Sequence, residues 1–444
     1  MTRFLPRDDL LSWGRVLRAR HEVARPHWRD ELPTLCIEGT AGGRTLLAAG
    51  LGRSYGDSGL NPDGAIVEMG ELDRIIGFDP ATRLLRAEAG ISIDTLLRLF
   101  VPRGLFPPVT PGTRFVTLGG AIANDIHGKN HHRAGTLGRW VRRLGLLRSD
   151  GGEIELGDDD KTGLFAATIG GLGLTGIIAW AEIELMAIPS AQMEVETLPF
   201  ATLDEFFAIA EGSDHSFDYT VAWVDCLATA GASGRGIFSR ARHAATGSLK
   251  SSTGRGFDVP IDLPGFVLGG TTVRAFNALY FRNASRKAGH ATVPYEPFFY
   301  PLDTIGRWNR LYGRRGLYQY QSVVPPAAAR DATAAMLASI SAAGEGSFLA
   351  VLKTFGDIAS PGRLSFPRPG TTLALDFANR GASTLALMGR LDAIVREAGG
   401  RLYPAKDGRI PAEMFQAGYP NWRDFARHVD PGFSSSFWRR VGCG

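Results

Sequence analysis

Residues 111–140 read PGTRFVTLGGAIANDIHGKNHHRAGTLGRW. This stretch contains six glycines, three histidines and Lys129, a composition that suits neither a regular helix nor a regular strand. Glycine has no side chain, so its backbone N–H group can approach a ligand closely. Gly119 and Gly120, followed by Ala-Ile-Ala, predict a turn leading into a short helix, whose first N–H groups suit an anion. We therefore expect a ligand-binding loop here.

Two other glycine-rich stretches lie beside predicted strands. Residues 45–49 have strand character and lead into GLGRSYGD at residues 50–57. Residues 165–176 read FAATIGGLGLTG and precede a strand predicted at residues 177–185. In chain order, residues 50–57 form the first glycine loop, residues 111–140 contain the second and residues 165–176 form the third. Three glycine loops next to strands predict one ligand long enough to touch them all, and a dinucleotide has that length.

Two familiar motifs are present in unfamiliar surroundings. GLGLTG at residues 171–176 has the spacing of a nicotinamide dinucleotide site, but a strand follows it where that site requires a helix. GRSYG at residues 52–56 has the letters of a hydrolase nucleophile elbow, but turn residues follow it. We interpret the first as a turn and expect no serine nucleophile at the second.

Charge and length limit the class of protein. The chain has 444 residues, enough for two or three domains with a buried core. Its net charge is +4 and no basic block stands out, which argues against nucleic acid as a partner. Only six of the 49 basic residues are lysines, so Lys129 and Lys406, each in a compact motif, are candidates for a functional amine. The alternative is an ordinary surface lysine.

Cysteine and histidine give no metal signature. The three cysteines are widely separated, which indicates neither a disulfide framework nor a zinc site. They are Cys36, Cys226 and Cys443. His131 and His132 are adjacent and have no Cys or Glu nearby, so we predict no metal, and a single histidine beside Lys129 suits proton transfer better.

The chain shows no signal for membrane insertion. Charged residues precede any apolar run at the N-terminus, so we predict no signal peptide. No stretch reaches ~18 apolar residues, so we predict no transmembrane helix and expect a cytoplasmic protein. Peripheral contact with a membrane is left open.

The composition of the sequence changes near residue 189. After this residue the sequence predicts longer helices and strands rich in aromatic residues. The helices are predicted at residues 326–343 and 383–398, and the strands at 219–223 and 318–324. Residues 231–256 are polar and glycine-rich, which predicts a mobile surface loop.

Six motifs, in order along nearly the whole chain, resemble one family of flavoproteins. They are GLGRSYGD at 50–57, PGTRFVTLGGAIANDIHGKNHH at 111–132, GGLGLTGI at 170–177, PLD..GRWNR.YG at 301–313, QYQ at 319–321 and LYPAKDGR at 402–409. Together they resemble the decaprenylphosphoryl-β-D-ribose 2'-oxidase family, the FAD-dependent half of an epimerase, within the vanillyl-alcohol-oxidase type of FAD enzymes. HGKNHH and YxAKDxR are specific, whereas GRSYG alone indicates only the superfamily.

The resemblance implies an α+β fold in three parts. A two-part FAD-binding domain would comprise residues 1–188 and 401–444. Residues 189–400 would form an α+β substrate-binding domain built on an antiparallel sheet. Some relatives attach FAD covalently through a histidine in the first glycine loop. That loop here contains Arg53-Ser54-Tyr55, so we expect noncovalent FAD.

The resemblance also implies site residues. Those expected at FAD are Gly52, Arg53, Ser54, Tyr55, Gly56, Gly112, Thr113, Thr117, Gly119, Gly120, Ala123, His127, Ile177, Tyr403 and Lys406. Lys406, His127 and Tyr55 are expected to be catalytic. The expected substrate-binding residues are Lys129, Trp223, Gln319, Gln321, Lys353 and Phe355. For the two glutamines the alternative is merely a polar strand face.

The implied reaction is oxidation of the 2'-hydroxyl of a polyprenylphosphoryl ribose to the keto sugar. A separate NAD(P)H-dependent ketoreductase would then complete epimerisation to the arabinose. The alternatives are an oxidase or dehydrogenase of a soluble sugar, alditol or aldonolactone, and a binding protein without FAD. Two positions depart from the mycobacterial family members. Ala374 stands where they carry the cysteine that nitro-aromatic inhibitors trap, and Asn124 replaces another cysteine.

Overall fold

A computed structural model describes residues 2–228, 234–250 and 256–442. These residues form three larger sheets and two short ones, with helices packed between and around them. The fold is α+β, as predicted. Among the described helices, none has the length and apolar character needed to cross a bilayer. Strands and helices are numbered below in chain order.

The first sheet is mixed and has the order β1-β2-β4-β3. Its strands are β1 (Leu5–Arg7), β2 (His21–Ala24), β3 (Leu46–Ala49) and β4 (Ala65–Glu68), with helix α1 (Leu32–Thr40) packed on it. β2 and β3 both run parallel to β4. β3 ends at the first glycine loop, which places that loop at the edge of the apolar core.

The second sheet is antiparallel and has the order β5-β6-β10-β8-β9. Its strands are β5 (Ile75–Asp79), β6 (Leu84–Glu88), β8 (Val141–Leu147), β9 (Glu153–Gly157) and β10 (Ile177–Glu184), and β7 (Leu105–Phe106) pairs separately with β11 (Met186–Ala187). Nearby helices are α2 (Ile93–Phe100), α3 (Leu118–Ala123), α4 (His131–Ala134) and α5 (Leu164–Thr168). β8 and β9 pair as a hairpin.

The third sheet is antiparallel, with the order β16-β12-β14-β13-β19-β20-β18-β21. Its strands are β12 (Gln192–Phe200), β13 (Tyr219–Val224), β14 (Gly236–His243), β16 (Gly289–Pro294), β18 (Leu317–Val324), β19 (Ala350–Phe355), β20 (Gly370–Ala378) and β21 (Arg401–Leu402); β15 (Phe257–Asp258) pairs with β17 (Ile305–Gly306). The helices of this half are α6 (Leu203–Ser213), α7 (Gly270–Ser285), α8 (Tyr295–Phe299), α9 (Ala329–Ala343), α10 (Ala382–Glu397), α11 (Ala412–Gly418), α12 (Trp422–Ala426) and α13 (Ser436–Val441).

The prediction of a mobile loop at residues 231–256 is wrong for Gly236–His243, which form strand β14. This strand pairs along its length with β12 and lies inside the sheet. Its arginines face glutamates on β12, with Arg240 at 2.7 Å from Glu196, and these cross-strand pairs support a sequence that looks too polar for a strand. Residues 231–233 and 251–255 of the predicted loop lie outside the described residues.

The C-terminal segment contacts both halves of the protein. β21 extends the third sheet beside β18. Arg440 of α13 forms ion pairs with Asp57 at 2.6 Å and with Asp407 at 3.2 Å. The segment thereby ties the third sheet to the first glycine loop. The division into residues 1–188, 189–400 and 401–444 stays a prediction.

Candidate active site

A cavity of about 1730 Å³ lies between the glycine loops and the third sheet. Most residues that the sequence singled out line it. They are Gly52, Arg53, Ser54, Tyr55, Gly112, Thr113, Thr117, Gly119, Gly120, Ala123, His127, Lys129, Trp223, Gln319, Gln321, Lys353, Tyr403 and Lys406. Gly56, Ile177 and Phe355 do not line it but lie behind the wall. The functional roles assigned to all of these residues stay predictions.

The first and second glycine loops are in direct contact. Arg53 donates from Nε to the carbonyl oxygen of Phe115 at 3.2 Å. Its guanidinium lies 4.0 Å from the centre of the Trp13 ring. A side-chain carbon at Gly50 would come within 2.4 Å of the Thr117 hydroxyl, so only glycine fits there. Two of the three loops that the sequence placed on one ligand are therefore neighbours. Turns, not a helix, follow Ser54, which differs from a nucleophile elbow.

The predicted short helix is present as α3, but Gly119 and Gly120 lie in its first turn and not in a turn before it. It begins at Leu118, and the Thr117 hydroxyl accepts a hydrogen bond from the Gly120 N–H at 3.1 Å, which caps it. Gly119 donates to the carbonyl oxygen of Ala89 at 2.7 Å. A side-chain carbon at Gly119 would lie 2.9 Å from the Ala89 methyl group. Gly119 thus lets the loop lie directly on the second sheet.

The loop containing Lys406 crosses the first glycine loop. Tyr55 donates from its backbone nitrogen to the Ala405 carbonyl oxygen at 2.9 Å. A side-chain carbon at Gly56 would lie 1.5 Å from the Asp407 carbonyl oxygen, which is impossible without separating the two backbones. This close crossing explains why Gly56 lies behind the wall, and it brings Lys406 and Tyr55 together.

Three strands of the third sheet provide a polar floor. Gln319 lies opposite Asp376, Gln321 opposite Ala374 and Lys353 opposite Thr372 in adjacent strands. Alternate residues of a strand face the same side of a sheet. All six residues line the cavity, so the polar face of β18 and its neighbours is the cavity floor.

His127 is held between two floor residues. Its Nε2 lies 3.1 Å from the side-chain nitrogen of Gln321, and its Nδ1 lies 3.3 Å from Lys353 Nζ. Phe355 packs edge-on against the ring, with the centroids 4.8 Å apart. Burial, reinforced by the Lys353 charge, lowers the pKa of His127 well below its ordinary value. The imidazole is therefore neutral near pH 7.

Lys406 and Asp376 are both buried, and their opposite charges attract each other. Burial lowers the pKa of Lys406 to about 8, against the attraction of Asp376, which raises it. Burial raises the pKa of Asp376 to about 7, while Gln319 donates to its Oδ1 at 2.5 Å. Asp376 was missed in the sequence, although it is the one acid in the otherwise uncharged strand GTTLALDFA.

Two other lysines add positive character. Burial lowers the pKa of Lys353 to about 8 and that of Lys129 to about 7. Lys129 donates from Nζ to the Phe298 carbonyl oxygen and lies 4.4 Å from the centre of the Phe298 ring. Together with Lys406, these side chains make the cavity suitable for anionic groups.

An apolar wall continues the cavity beyond the floor. Trp223 donates from Nε1 to the Phe348 carbonyl oxygen at 3.0 Å and packs on Tyr280 with ring centroids 4.7 Å apart. Further lining residues are Val195, Val221, Ile237, Val273, Phe276 and Val293, between the sheet and α7. Of the three histidines in the second loop, only His127 appears among the described lining residues.

The residues fit a dinucleotide with phosphates. A side-chain carbon at Gly59 or Gly112 would meet no atom within 4 Å, although both glycines line the cavity. A larger residue there would occupy the space that the loops leave open. The cavity also exceeds the ~300–1,000 Å³ typical of small-ligand sites. Backbone N–H groups and the Arg53 and Lys406 cations suit phosphate or other anionic oxygens.

Comparison with known proteins agrees with a dinucleotide in this cavity. The family model described as FAD binding domain matches residues 21–157, which include the first two glycine loops. Decaprenylphosphoryl-beta-D-ribose oxidase of Mycolicibacterium smegmatis is 40% identical over 97% of this chain and 97% of its own length. An uncharacterized protein of Streptomyces coelicolor is 32% identical over 79% of this chain and 100% of its own length. L-gulonolactone oxidase of Mus musculus is 28% identical over 32% of each chain.

The match to the first relative covers 97% of this chain, and the FAD domain match covers the first two of the glycine loops that face the cavity. The protein is an FAD-dependent oxidoreductase, and its chain belongs to the decaprenylphosphoryl-β-D-ribose oxidase family.

Proposed function

We propose that this protein oxidises the 2'-hydroxyl of a polyprenylphosphoryl-β-D-ribose to the 2'-keto sugar. The observation that supports this substrate is the composition of the cavity. A polar floor with His127 and Lys406 adjoins an apolar wall that runs on beneath α7. A sugar fits the floor and a lipid chain fits the wall. A soluble sugar would need only the floor.

The glycine loops would hold FAD in the cavity. Gly52, Gly112 and Thr117 would lie along its phosphates and ring system, with Lys406 at its reactive edge. FAD bound there supplies a hydride acceptor for the hydrogen on C2 of the ribose. The glycine backbone and the cations would favour this large anionic group there.

The polar side chains of the cavity would handle the proton and the charge that the reaction produces. His127 lines the cavity, and the 2'-hydroxyl would pass its proton to this imidazole once the substrate takes the place of Gln321 or Lys353 at a ring nitrogen. Gln321 and Lys353 hold the imidazole in place. Lys406 stabilises negative charge that develops at the cofactor's edge, and Asp376 favours its charged form.

We propose that FAD is held noncovalently. The first glycine loop carries Arg53-Ser54-Tyr55, and the described cavity lining includes no cysteine. His127 is the histidine in that lining, and its ring nitrogens face Gln321 and Lys353. Acid precipitation should therefore release the flavin into the supernatant, and flavin retained in the pellet would refute this part of the proposal.

The reaction also implies a partner. Oxidation removes the stereochemistry at C2, and epimerisation requires a reductase that delivers hydride to the other face of the keto sugar. We propose a separate NAD(P)H-dependent ketoreductase for this step and a cytoplasmic location for both.

Isotopic substitution tests the proposed reaction. Polyprenylphosphoryl ribose carrying deuterium at C2 should be oxidised more slowly than the unlabelled substrate. Its product should have lost that deuterium together with the hydroxyl proton. Mass spectrometry of the product and stopped-flow measurement of the reductive step provide both readouts. An unchanged rate together with oxidation at another carbon would refute C2 as the reacting centre.

A further inference from the structure

Helix α7 lies at the mouth of the cavity and exposes apolar side chains. Of its 16 residues, the structure buries Val273 and Asn277. Phe276, Leu279 and Tyr280 are 46%, 58% and 42% exposed. Their spacing of three and four residues puts them on one side of the helix. Scattered exposed hydrophobics need no explanation, but three together on one helix indicate a contact surface.

The chain segment that contains α7 carries formal charges of a single sign. Residues 263–295 contain no aspartate or glutamate. They do contain Arg274, Arg282, Arg286 and Lys287, all exposed. Four cations equal the net charge of the whole chain, which is +4, so the rest of the protein is neutral overall. Within the described part of the chain, none of the four forms an ion pair with a carboxylate. Such a surface is complementary to an anionic one.

The exposed apolar side of α7 continues into the cavity. Phe276 and Tyr280 both line the cavity while remaining partly exposed. Their rings stack with centroids 6.1 Å apart, and Phe276 meets Phe348 inside the cavity at 5.9 Å. The outer surface and the apolar wall are therefore one continuous strip.

We propose that α7 docks on an anionic lipid bilayer. Phe276, Leu279 and Tyr280 enter the interface between headgroups and acyl chains, and the four cations lie near the headgroups. The cavity mouth then opens toward the lipid, so that a lipid-linked sugar passes from the bilayer along the apolar strip. This inference rests on the proposed function for its biological purpose and extends it by naming the surface through which the substrate arrives. An acidic protein would also suit the cations, but it gives no reason for aromatic side chains that run into the cavity.

Vesicle co-sedimentation of the flavin-loaded protein tests the docking. We expect binding to vesicles of phosphatidylcholine mixed with phosphatidylglycerol, weaker binding to phosphatidylcholine alone, and a loss of binding as salt increases. Arg282→Glu should weaken binding at least about fivefold, because it reverses one surface cation. Leu279→Glu should weaken it by a similar or larger factor.

A matched control and a second readout separate docking from catalysis. Leu385 is an exposed leucine of α10, 43% exposed, and Leu385→Glu should bind vesicles like the wild type. Leu279→Glu should reduce its flavin normally with a short-chain, water-soluble polyprenylphosphoryl ribose. It should react slowly with the same sugar on a long chain embedded in vesicles.

The outcomes are distinct for the two proposals. If the wild type fails to bind anionic vesicles, or if Leu279→Glu and Arg282→Glu both bind like the wild type, the docking proposal is overturned. If vesicle binding behaves as expected while no polyprenylphosphoryl ribose reduces the flavin, the docking surface stands and the proposed substrate is wrong.

Discussion

The Lys406 ammonium lies 4.0 Å from the centre of the Tyr55 ring. The two residues come from opposite ends of the chain, and the hydrogen bond from the Tyr55 N–H to the Ala405 carbonyl oxygen fixes their loops together. Asp376 attracts the same amine from the sheet beneath it. A cation, an aromatic ring and a buried carboxyl therefore converge where the glycine loops meet the cavity floor.

Removal of the Lys406 amine should block flavin reduction while leaving the fold intact. For Lys406→Ala we expect a yellow protein whose reductive rate falls at least about a hundredfold, since preorganised charge at a reacting edge contributes on that scale. Stopped-flow absorbance measures the rate. Lys161 is an exposed lysine, so Lys161→Ala serves as the matched control and should react normally. A normal rate in Lys406→Ala would remove this residue from the mechanism.

Gly56, behind the cavity wall, and Gly112, in the cavity lining, should respond differently to the same substitution. Gly56→Ala places a carbon 1.5 Å from the Asp407 carbonyl oxygen and should lower the free energy of unfolding by about 2–3 kcal/mol. Gly112→Ala meets no atom within 4 Å, so the cofactor-free protein should keep its stability while its affinity for FAD falls. Thermal unfolding and flavin fluorescence titration measure the two effects. Equal stability of both variants would contradict the close crossing at Gly56.

The sequence predicted much of this site because glycine spacing is local information. GRSYGD and TLGGAIA mark places where backbone must approach something closely, and the strands before them set their position. The motif around Lys406 could be placed in the site only through its resemblance to a family, since nothing local shows that this loop crosses Gly56. The crossing depends on the ion pairs from Arg440 to Asp57 and Asp407, which join residues far apart in sequence.

Other features could not be found from pattern alone. Asp376 becomes a site residue because β20 lies between β18 and β19, a pairing set by the whole sheet. β14 looked like a loop because its arginines are satisfied by glutamates on a different strand. The exposed side of α7 depends on which of its residues the sheet covers, and its helical spacing alone does not show that.

The pH dependence of stability should reveal the buried carboxyl. Burial raises the pKa of Asp376 from 3.8 to about 7, so the folded protein keeps a proton that the unfolded chain has released. The free energy of unfolding therefore falls as the pH rises from about 4 to about 7, between the pKa values of the unfolded and folded states, and it stays lower at higher pH. Asparagine does not ionise, so Asp376→Asn should not lose stability as the pH rises in this way. Near pH 8 the variant should be roughly 1–3 kcal/mol more stable than the wild type, and near pH 4 the two should differ little.

Urea unfolding of the cofactor-free protein at a series of pH values measures this difference. Asp8 is exposed, and Asp8→Asn should give a curve parallel to that of the wild type. If Asp376→Asn also gave a parallel curve, the carboxyl would be ionised at no cost in the folded protein, contrary to its buried position.

Ala374 should determine sensitivity to thiol-trapping inhibitors. It lines the cavity beside Gln321 on the adjacent strand. The described cysteines, Cys36 and Cys226, are buried, and burial raises the pKa of both thiols to about 12. Nitro-aromatic inhibitors of the mycobacterial type should therefore leave Cys36 and Cys226 unmodified and form an adduct at position 374 of Ala374→Cys, as located by mass spectrometry of peptides. An adduct at Cys36 or Cys226 in the wild type would contradict this expectation.

Anaerobic mixing of the flavin-loaded protein with candidate sugars asks whether the cavity works on a lipid-linked ribose. Flavin absorbance is followed after mixing with polyprenylphosphoryl ribose and, separately, with free ribose. We predict rapid bleaching by the lipid-linked sugar and none by the free sugar on the same timescale. Bleaching by free ribose alone, or no bleaching by either sugar, would contradict the proposed function.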